Sequence, residues 1–257
     1  MRILYFDCFS GISGDMVIGA LIDAGGDPVH LETELKKLNM EKEYELKFNK
    51  VVKNGITSTK FDVLLTNDVH IHGHSQNHEH DHHHEHSHDH RSYQEIVKLI
   101  KSANFSERVE SNAVDIFKKI GQAEGKIHGV ALEDVHFHEV GAVDSIIDIV
   151  GVAILLEQLQ IDSIKSSAIP VGSGRIHIDH GVYPVPAPAT LEILLGIPIA
   201  ESEVRGELAT PTGAAIVAVL AESYCTLPAM RVQSIGYGAG TKTFPKHPNV
   251  LRVIIGE

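Results

Sequence analysis

The stretch YELKFNKVVKNGITSTKFDVLL, residues 44–65, consists of two runs rich in apolar and β-branched residues on either side of Asn54-Gly55. Asn-Gly is the strongest short-range signal for a two-residue hairpin loop, because both central residues of that turn need a positive φ. The pattern therefore predicts two antiparallel strands, spanning roughly residues 43–66.

The residues before this hairpin predict a strand, a loop and two helices. An apolar run at residues 2–6 is typical of a buried strand, and residues 7–14 carry two glycines and two serines that predict a turn. MVIGALIDAG (16–25) then predicts an apolar helix that ends at a Gly-Gly pair. Pro28 begins a second predicted helix, since its fixed φ suits a first helical turn.

The residues after the hairpin predict a layer of helices. Ser92 and Ser106 are the expected N-caps of the first two, and residues 144–160 are apolar nearly all round, which indicates a buried helix. Residues 169–189 are rich in proline and glycine and predict a structured loop or extended crossing. The remaining predicted elements are helices near 188–195 and 212–222 and strands near 229–237 and 249–255. Loosely alternating strands and helices with an antiparallel hairpin predict an α/β or α+β fold with a mixed sheet.

Composition excludes several classes of protein. With 257 residues, 43% of them hydrophobic, the chain can bury a sizeable core as one large or two small domains. Its net charge of -12, without clustered lysines or arginines, argues against nucleic acid or an anionic membrane as a partner. Cys8 and Cys225 lie too far apart for a C-x-x-C motif, and we expect no signal peptide or transmembrane helix. A cytoplasmic protein is therefore expected, whose oligomeric state the sequence leaves open.

A histidine-rich tract, HGHSQNHEHDHHHEHSHDH (72–90), follows the hairpin. Such a run offers many overlapping sets of imidazole ligands for Ni, Cu, Zn or Co, so we expect multiple metal sites of low selectivity. An inert spacer and an expression tag are the alternatives. We expect a disordered loop at 68–91, because it has almost nothing apolar to bury. The predicted metal ligands are His70, His72, His74, His78, His80, His82, His83, His84, His86, His88 and His90.

A second cluster lies in VHFHEVGAVDSIIDIVG (135–151). His136 and His138 are two residues apart, so an extended segment would point both to one side, and Glu139 follows directly. Asp144, at the start of the next helix, shares a helix face with Asp148. Taken singly, each could be an ordinary surface or helix-terminal residue. Taken together, they predict a fixed site of His136, His138 and Glu139, with Asp144 and the distant Asp15 as neighbours.

Two glycine-containing loops are candidate anion sites. In FDCFSGISGDM (6–16), Ser10, Gly11, Ser13 and Gly14 precede a helix N-terminus whose amides could cradle an anion, while Asp7 and Asp15 could hold a cation beside it. The segment lacks both a full G-x-G-x-x-G and a Walker lysine, so a plain tight turn is the alternative.

The second loop is RGELATPTGAAI (205–216), where Thr210, Thr212 and Gly213 surround a proline at a helix start. Thr212 could equally be an ordinary N-cap. VGSGRIHIDHGVYPVPAPAT (171–190) resembles a ligand loop in a looser sense and contributes Arg175, His177 and His180.

These motifs, in this order and across nearly the whole chain, resemble those of the LarC nickel insertion proteins, the nickel chelatases of pyridinium bisthiocarboxylic acid mononucleotide. The resemblance implies that residues 1–257 are a LarC-like N-terminal region that supplies nickel for the nickel-pincer nucleotide cofactor of lactate racemase. It also implies CTP hydrolysis with a divalent cation, associated mainly with a C-terminal domain of full-length members that this sequence does not include. The expected partners are the mononucleotide, that C-terminal portion and the lactate racemase apoenzyme.

Two other functions fit the same residues. A storage or delivery protein for nickel or zinc would use the histidine tract without a catalytic step. A phosphate-binding enzyme would use the glycine loops at 10–14 and 206–213, with the tract incidental.

Overall fold

The computed structural model describes residues 1–66, 91–137, 142–178 and 181–257. The helices are α1 (Gly14–Asp23), α2 (Pro28–Leu35), α3 (Tyr93–Ser102), α4 (Glu107–His128), α5 (Val143–Gln158), α6 (Pro188–Ile193) and α7 (Pro211–Leu220). The strands are β1 (Ile3–Asp7), β2 (Tyr44–Lys53), β3 (Ile56–Leu65), β4 (Ser163–Ser166), β5 (Ile169–Pro170), β6 (Gly172–Ser173), β7 (Arg175–Ile178), β8 (Gly181–Pro184), β9 (Ile199–Ala200), β10 (Gly206–Glu207), β11 (Ser223–Tyr224), β12 (Val232–Ala239) and β13 (Val250–Gly256).

A seven-stranded sheet, ordered β11-β4-β1-β13-β12-β3-β2, forms the centre of the fold. The pairs β1–β13, β12–β13 and β2–β3 are antiparallel, whereas β1–β4, β4–β11 and β3–β12 are parallel. The predicted mixed sheet, and with it the α/β class, is therefore confirmed.

The predicted hairpin is confirmed in register and in turn geometry. Tyr44 pairs with Leu65 at its open end and Lys53 with Ile56 at its closed end. Asn54 and Gly55 have φ values of 47° and 87°, the positive sign that a two-residue loop of this kind requires.

The helix starts follow the predicted caps. Ser92 and Glu95 form a reciprocal capping box at α3, and the Ser106 hydroxyl accepts a hydrogen bond from the Val109 amide at α4. Helix α5 is buried without interruption over residues 149–156, as its all-apolar sequence predicts. The segment 169–189 contains the four short strands β5 to β8 and the start of α6. No helix among the described residues is long and apolar enough to cross a bilayer.

Helix α1 lies unusually close to the sheet because glycines replace side chains at the contact. A Cβ atom at Gly238 would lie 1.8 Å from the Met16 carbonyl oxygen, and one at Gly236 would lie 2.0 Å from the Ala20 carbonyl oxygen. From the helix side, a Cβ atom at Gly19 would lie 2.4 Å from the Thr59 carbonyl oxygen of β3. Backbone therefore packs directly on backbone, which fixes the height of α1 above β12 and β3.

We expect Gly238→Ala to lower the free energy of unfolding by at least about 3 kcal/mol, because neither the helix nor the strand backbone can yield 1 Å without disturbing the core. Gly55→Ala is the matched control. Its Cβ meets nothing within 4 Å, so only the positive φ is penalised, at about 1–2 kcal/mol. Urea unfolding followed by circular dichroism measures both, and equal losses would contradict the close contact.

Candidate functional site

Three helix N-termini open onto one cavity of about 700 Å³. The starts of α1, α5 and α7 contribute residues 13–15, 144–145 and 210–212, so the positive ends of three helix dipoles converge there. We call this space the polar cavity. Its lining residues are Ser13, Gly14, Asp15, Lys60, Phe61, Asp62, Val63, Asp144, Ser145, Asp148, Arg175, Ile176, His177, Glu207, Thr210, Pro211, Thr212, Thr241 and Lys242.

Lys60 is a nearly buried cation that organises one wall of the polar cavity. Its Nζ atom lies 2.6 Å from Asp15 Oδ2 and 2.9 Å from Asp62 Oδ1, and it donates a hydrogen bond to the Phe61 carbonyl oxygen. Burial alone lowers the pKa of Lys60, but the charges and hydrogen bonds of Asp15 and Asp62 outweigh it and leave the pKa raised. Lys60 therefore remains an ammonium ion and holds Asp15 in place.

Asp148 lies where the second turn of α5 meets the start of α1. A Cβ atom at Gly14 would lie 2.4 Å from Asp148 Oδ2, so the glycine is what admits the carboxyl group to the helix N-terminus. The side chain borders the cavity, yet its Oδ1 atom is shielded from water and has no hydrogen-bond partner among the described residues. Burial, followed by the charges of Asp15 and Asp144, raises the pKa of Asp148 well above its ordinary value. The carboxyl group of Asp148 thus fills the start of α1, where the sequence predicted that backbone amides bind an anion.

A second ion pair in the lining of the polar cavity joins Glu207 and Lys242. Glu207 on β10 lies 3.5 Å from the Lys242 ammonium. Burial raises the pKa of Glu207, and Lys242 opposes that shift only in part. Together with Arg175 on β7, the described lining holds five carboxyl groups and three cations, an arrangement suited to a ligand that carries both a metal ion and an anionic group.

Several predicted site residues meet in the polar cavity. Asp15, Asp144, Ser13, Gly14, Thr210 and Thr212 line it, as do Arg175 and His177. Thr210, rather than Thr212, is the N-cap of α7, because its hydroxyl accepts the Gly213 amide at 3.2 Å. Gly213 lies behind the lining, where a Cβ atom would be 2.2 Å from the Ile12 carbonyl oxygen.

Other predicted residues lie elsewhere. Ser10 is fully buried and bonds to His247 and Pro248, and Gly11 packs against the Leu208 backbone with φ +93°. Asp7 accepts a hydrogen bond from Arg252 Nε at 2.8 Å, so it joins β1 to β13 instead of sharing a cation with Asp15.

Among the described residues, the predicted metal-binding set of His136, His138 and Glu139 is represented by His136 alone. His136 is exposed and pairs with Ser92 beside the α3 capping box. His138, Glu139, His180 and the eleven histidines of the tract lie outside the described residues. Within the described ranges, no three His, Cys, Asp or Glu side chains are placed to hold a metal ion.

The model of the nickel insertion protein family matches residues 4–257. The chain belongs to this family. It is 54% identical over 260 residues to the pyridinium-3,5-bisthiocarboxylic acid mononucleotide nickel insertion protein of Geobacillus kaustophilus, covering 100% of this chain and 60% of that relative. Proteins of the same name from Staphylococcus epidermidis (49% over 253 residues, 98% of this chain and 59% of the relative) and Clostridium kluyveri (48% over 260 residues, 100% and 62%) are also similar.

This chain therefore spans about three fifths of the length of these relatives. No solved structure matches it. Sequence reasoning missed Lys60, Asp62 and Glu207 as site residues. Lys60 lies in the middle of β3 and belongs to no recognisable motif. It reaches Asp15 only because β3 packs against α1.

Asp148→Asn should make folding less sensitive to pH. A carboxyl group whose pKa is raised by folding keeps a proton that the unfolded chain loses above about pH 4, so the parent loses stability as pH rises from there through the folded-state pKa. The variant has no such titration, and its advantage in free energy of unfolding should grow as the pH rises above about 4.

Urea unfolding at several pH values measures this difference. Asp134→Asn, which alters an exposed carboxylate, is the control and should give a curve parallel to the parent. A constant offset between Asp148→Asn and the parent at every pH would show that Asp148 is ionised in the folded protein.

Proposed function

We propose that this chain acts in the insertion of nickel into pyridinium-3,5-bisthiocarboxylic acid mononucleotide, with the polar cavity as the place where metal and mononucleotide meet. Membership of the nickel insertion family supports the metal, and the names of the relatives support the acceptor. The observation that carries the assignment to this cavity is its combination of three helix N-termini and three cations with five carboxyl groups. We propose that the reaction takes place in the cytoplasm.

The cations and helix starts account for binding of the anionic nucleotide. A phosphate at the start of α7 would meet the Thr212 amide and hydroxyl, with Arg175 and Lys242 supplying positive charge. The start of α1 is closed to a phosphate by Asp148. Helix α7 is therefore the better phosphate site of the two predicted loops.

The carboxylates and His177 account for passage of the metal. Oxygen and imidazole donors bind Ni²⁺, but two thiocarboxylate sulfurs and a ring carbon offer a softer ligand set, so transfer toward the nucleotide is favoured. Formation of the nickel–carbon bond releases the proton of that ring carbon. We propose that the carboxyl group of Asp15 or Asp62, both of which face Lys60 in the cavity lining, accepts it.

The histidine tract would collect nickel and pass it to the cavity. Many overlapping imidazole sets bind Ni²⁺ without enclosing it, which keeps exchange fast. We retain His136, His138 and Glu139 as an intermediate set between tract and cavity.

The resemblance alone supports three further parts of the proposal. Residues 1–257 would be the nickel-supplying region, CTP and its divalent cation would bind mainly in the C-terminal domain of full-length members, and the product would serve lactate racemase. The overall activity would then be that of a nickel chelatase of the lyase class.

A storage or delivery protein without a catalytic step is the second candidate. It is favoured by the lack, within the described ranges, of three side chains placed to hold one metal ion. In that case the folded part would serve only to anchor the tract.

Native mass spectrometry with Ni²⁺ distinguishes these two functions. We expect the intact chain to bind several nickel ions and a chain lacking residues 72–90 to retain about one, because the fixed site lies in the folded part. Complete loss of nickel from the deletion variant would favour storage by the tract. Ala in place of each tract histidine, at unchanged length, is the control for shortening the loop.

A transfer assay tests the proposed residues. The nickel-loaded chain is mixed with the bisthiocarboxylate mononucleotide, CTP and Mg²⁺, and the nickel-containing nucleotide is measured by mass. We expect Arg175→Gln to weaken nucleotide binding about tenfold through loss of a charge-assisted contact, and His136→Ala/His138→Ala to abolish transfer with the fold intact by circular dichroism. Full transfer by the double variant would refute the histidine assignment, whereas no transfer by the parent would refute insertion by this chain.

A further inference from the structure

A second cavity, of about 640 Å³, lies beyond the wall that β10 and the residues after β12 provide for the polar cavity. It is lined by Phe9 and by residues 201–205 and 244–247. None of these residues lines the polar cavity, although neighbours of both segments do. The second cavity is therefore a separate space with its own set of side chains.

Three aromatic rings form one side of the second cavity. The His247 ring centroid lies 6.4 Å from that of Phe9 and 6.4 Å from that of Phe244, so the imidazole neighbours both phenyl rings. Phe9 is 39% exposed, so part of its ring is accessible to a ligand. Aromatic faces of this kind stack on planar rings and attract cationic ones.

A buried hydroxyl fixes the His247 ring. Ser10 Oγ is hydrogen-bonded to the Pro248 carbonyl oxygen, which can only accept, so the single hydroxyl proton is used there. Towards His247 the same oxygen must accept, from Nε2–H at 2.6 Å. Ser10, from the first predicted anion loop, thus orients an aromatic ring of the second cavity.

The cavity also carries cations without protein partners. Lys246 and Arg205 line it, and no ion pair of either is found among the described residues. Lys246 has φ +61° in a turn closed by the His247 amide and the Phe244 carbonyl oxygen, a position that usually requires Gly or Asn.

We propose that the second cavity binds a mononucleotide, whose planar ring stacks on Phe9 and Phe244 and whose phosphate lies between Lys246 and Arg205. Glu201 and Glu203 on the rim favour a positively charged ring such as pyridinium over a neutral base. This site is additional to the phosphate site at the start of α7, and it does not depend on nickel transfer.

The absence of tryptophan from the chain allows a site-specific test. Phe9→Trp places a single indole at the second cavity, where the exposure of Phe9 leaves room for the larger ring. A stacked pyridinium ring quenches indole fluorescence, and nicotinic acid mononucleotide is a stable pyridinium mononucleotide. We expect saturable quenching by this probe. Binding at the polar cavity gives no signal, so failure here would leave nickel transfer untouched.

Two further substitutions in the Phe9→Trp background test the phosphate contact. Lys246→Asn removes the charge but suits the left-handed backbone, so it should weaken binding about tenfold while keeping the melting temperature. Lys246→Arg should restore binding. Gln160→Asn, which makes the equivalent backbone change at a remote position with φ +53°, should have no effect.

Quenching that does not saturate, or superimposable curves for Lys246→Asn and the parent, would overturn the proposal. Cytidine monophosphate is the competing probe. If cytidine monophosphate displaces the pyridinium probe, the second cavity accepts mononucleotides in general. If it does not, the cavity accepts only mononucleotides with a charged ring. Both outcomes require saturable quenching by the pyridinium probe.

Discussion

The direct packing of the α1 backbone on β12 and β3 is the contact on which the rest of the site depends. Because Gly236 and Gly238 remove the side chains that would separate helix from strand, α1 lies at one height above the sheet. At that height, Asp15 in its first turn reaches Lys60 on β3. A helix lifted by a single methyl group would break this ion pair and leave a buried ammonium without its partner, which is far more costly than the loss of an exposed pair.

Glycines also allow close packing between α1 and α5. Gly14 leaves room for the carboxyl group of Asp148. Gly151 of α5 leaves room for Ile18, because a Cβ atom at Gly151 would lie only 2.9 Å from Ile18 Cδ1. Helices α1 and α5 are therefore locked together close to the cavity. Asp15, Asp144 and Asp148 project from these two packed helices and Lys60 and Asp62 from β3, which favours a preorganised arrangement on this side of the polar cavity.

Local signals in the sequence were sufficient for most of the fold but for only part of the site. The Asn54-Gly55 turn, the Ser92 and Ser106 caps and the all-apolar α5 each depend on neighbours within a few residues, and all were predicted. The partnerships of Lys60 with Asp15 and of Ser10 with His247 join residues 45 and 237 positions apart. No periodicity reports such pairs, so Ser10 was predicted as an anion ligand, whereas its hydroxyl is hydrogen-bonded to the His247 ring and the Pro248 carbonyl oxygen near the far end of the chain.

The wall between the two cavities gives their chemistry a physical connection. Two segments of the chain form this wall. In the first, Glu207 lines the polar cavity and Arg205 lines the second cavity; in the other, Lys242 lines the polar cavity and Phe244 lines the second cavity. Glu207 and Lys242 form an ion pair 3.5 Å apart on the polar-cavity side. The Lys242 charge that partly offsets the effect of burial on the pKa of Glu207 is therefore held by the same two segments that line the second cavity.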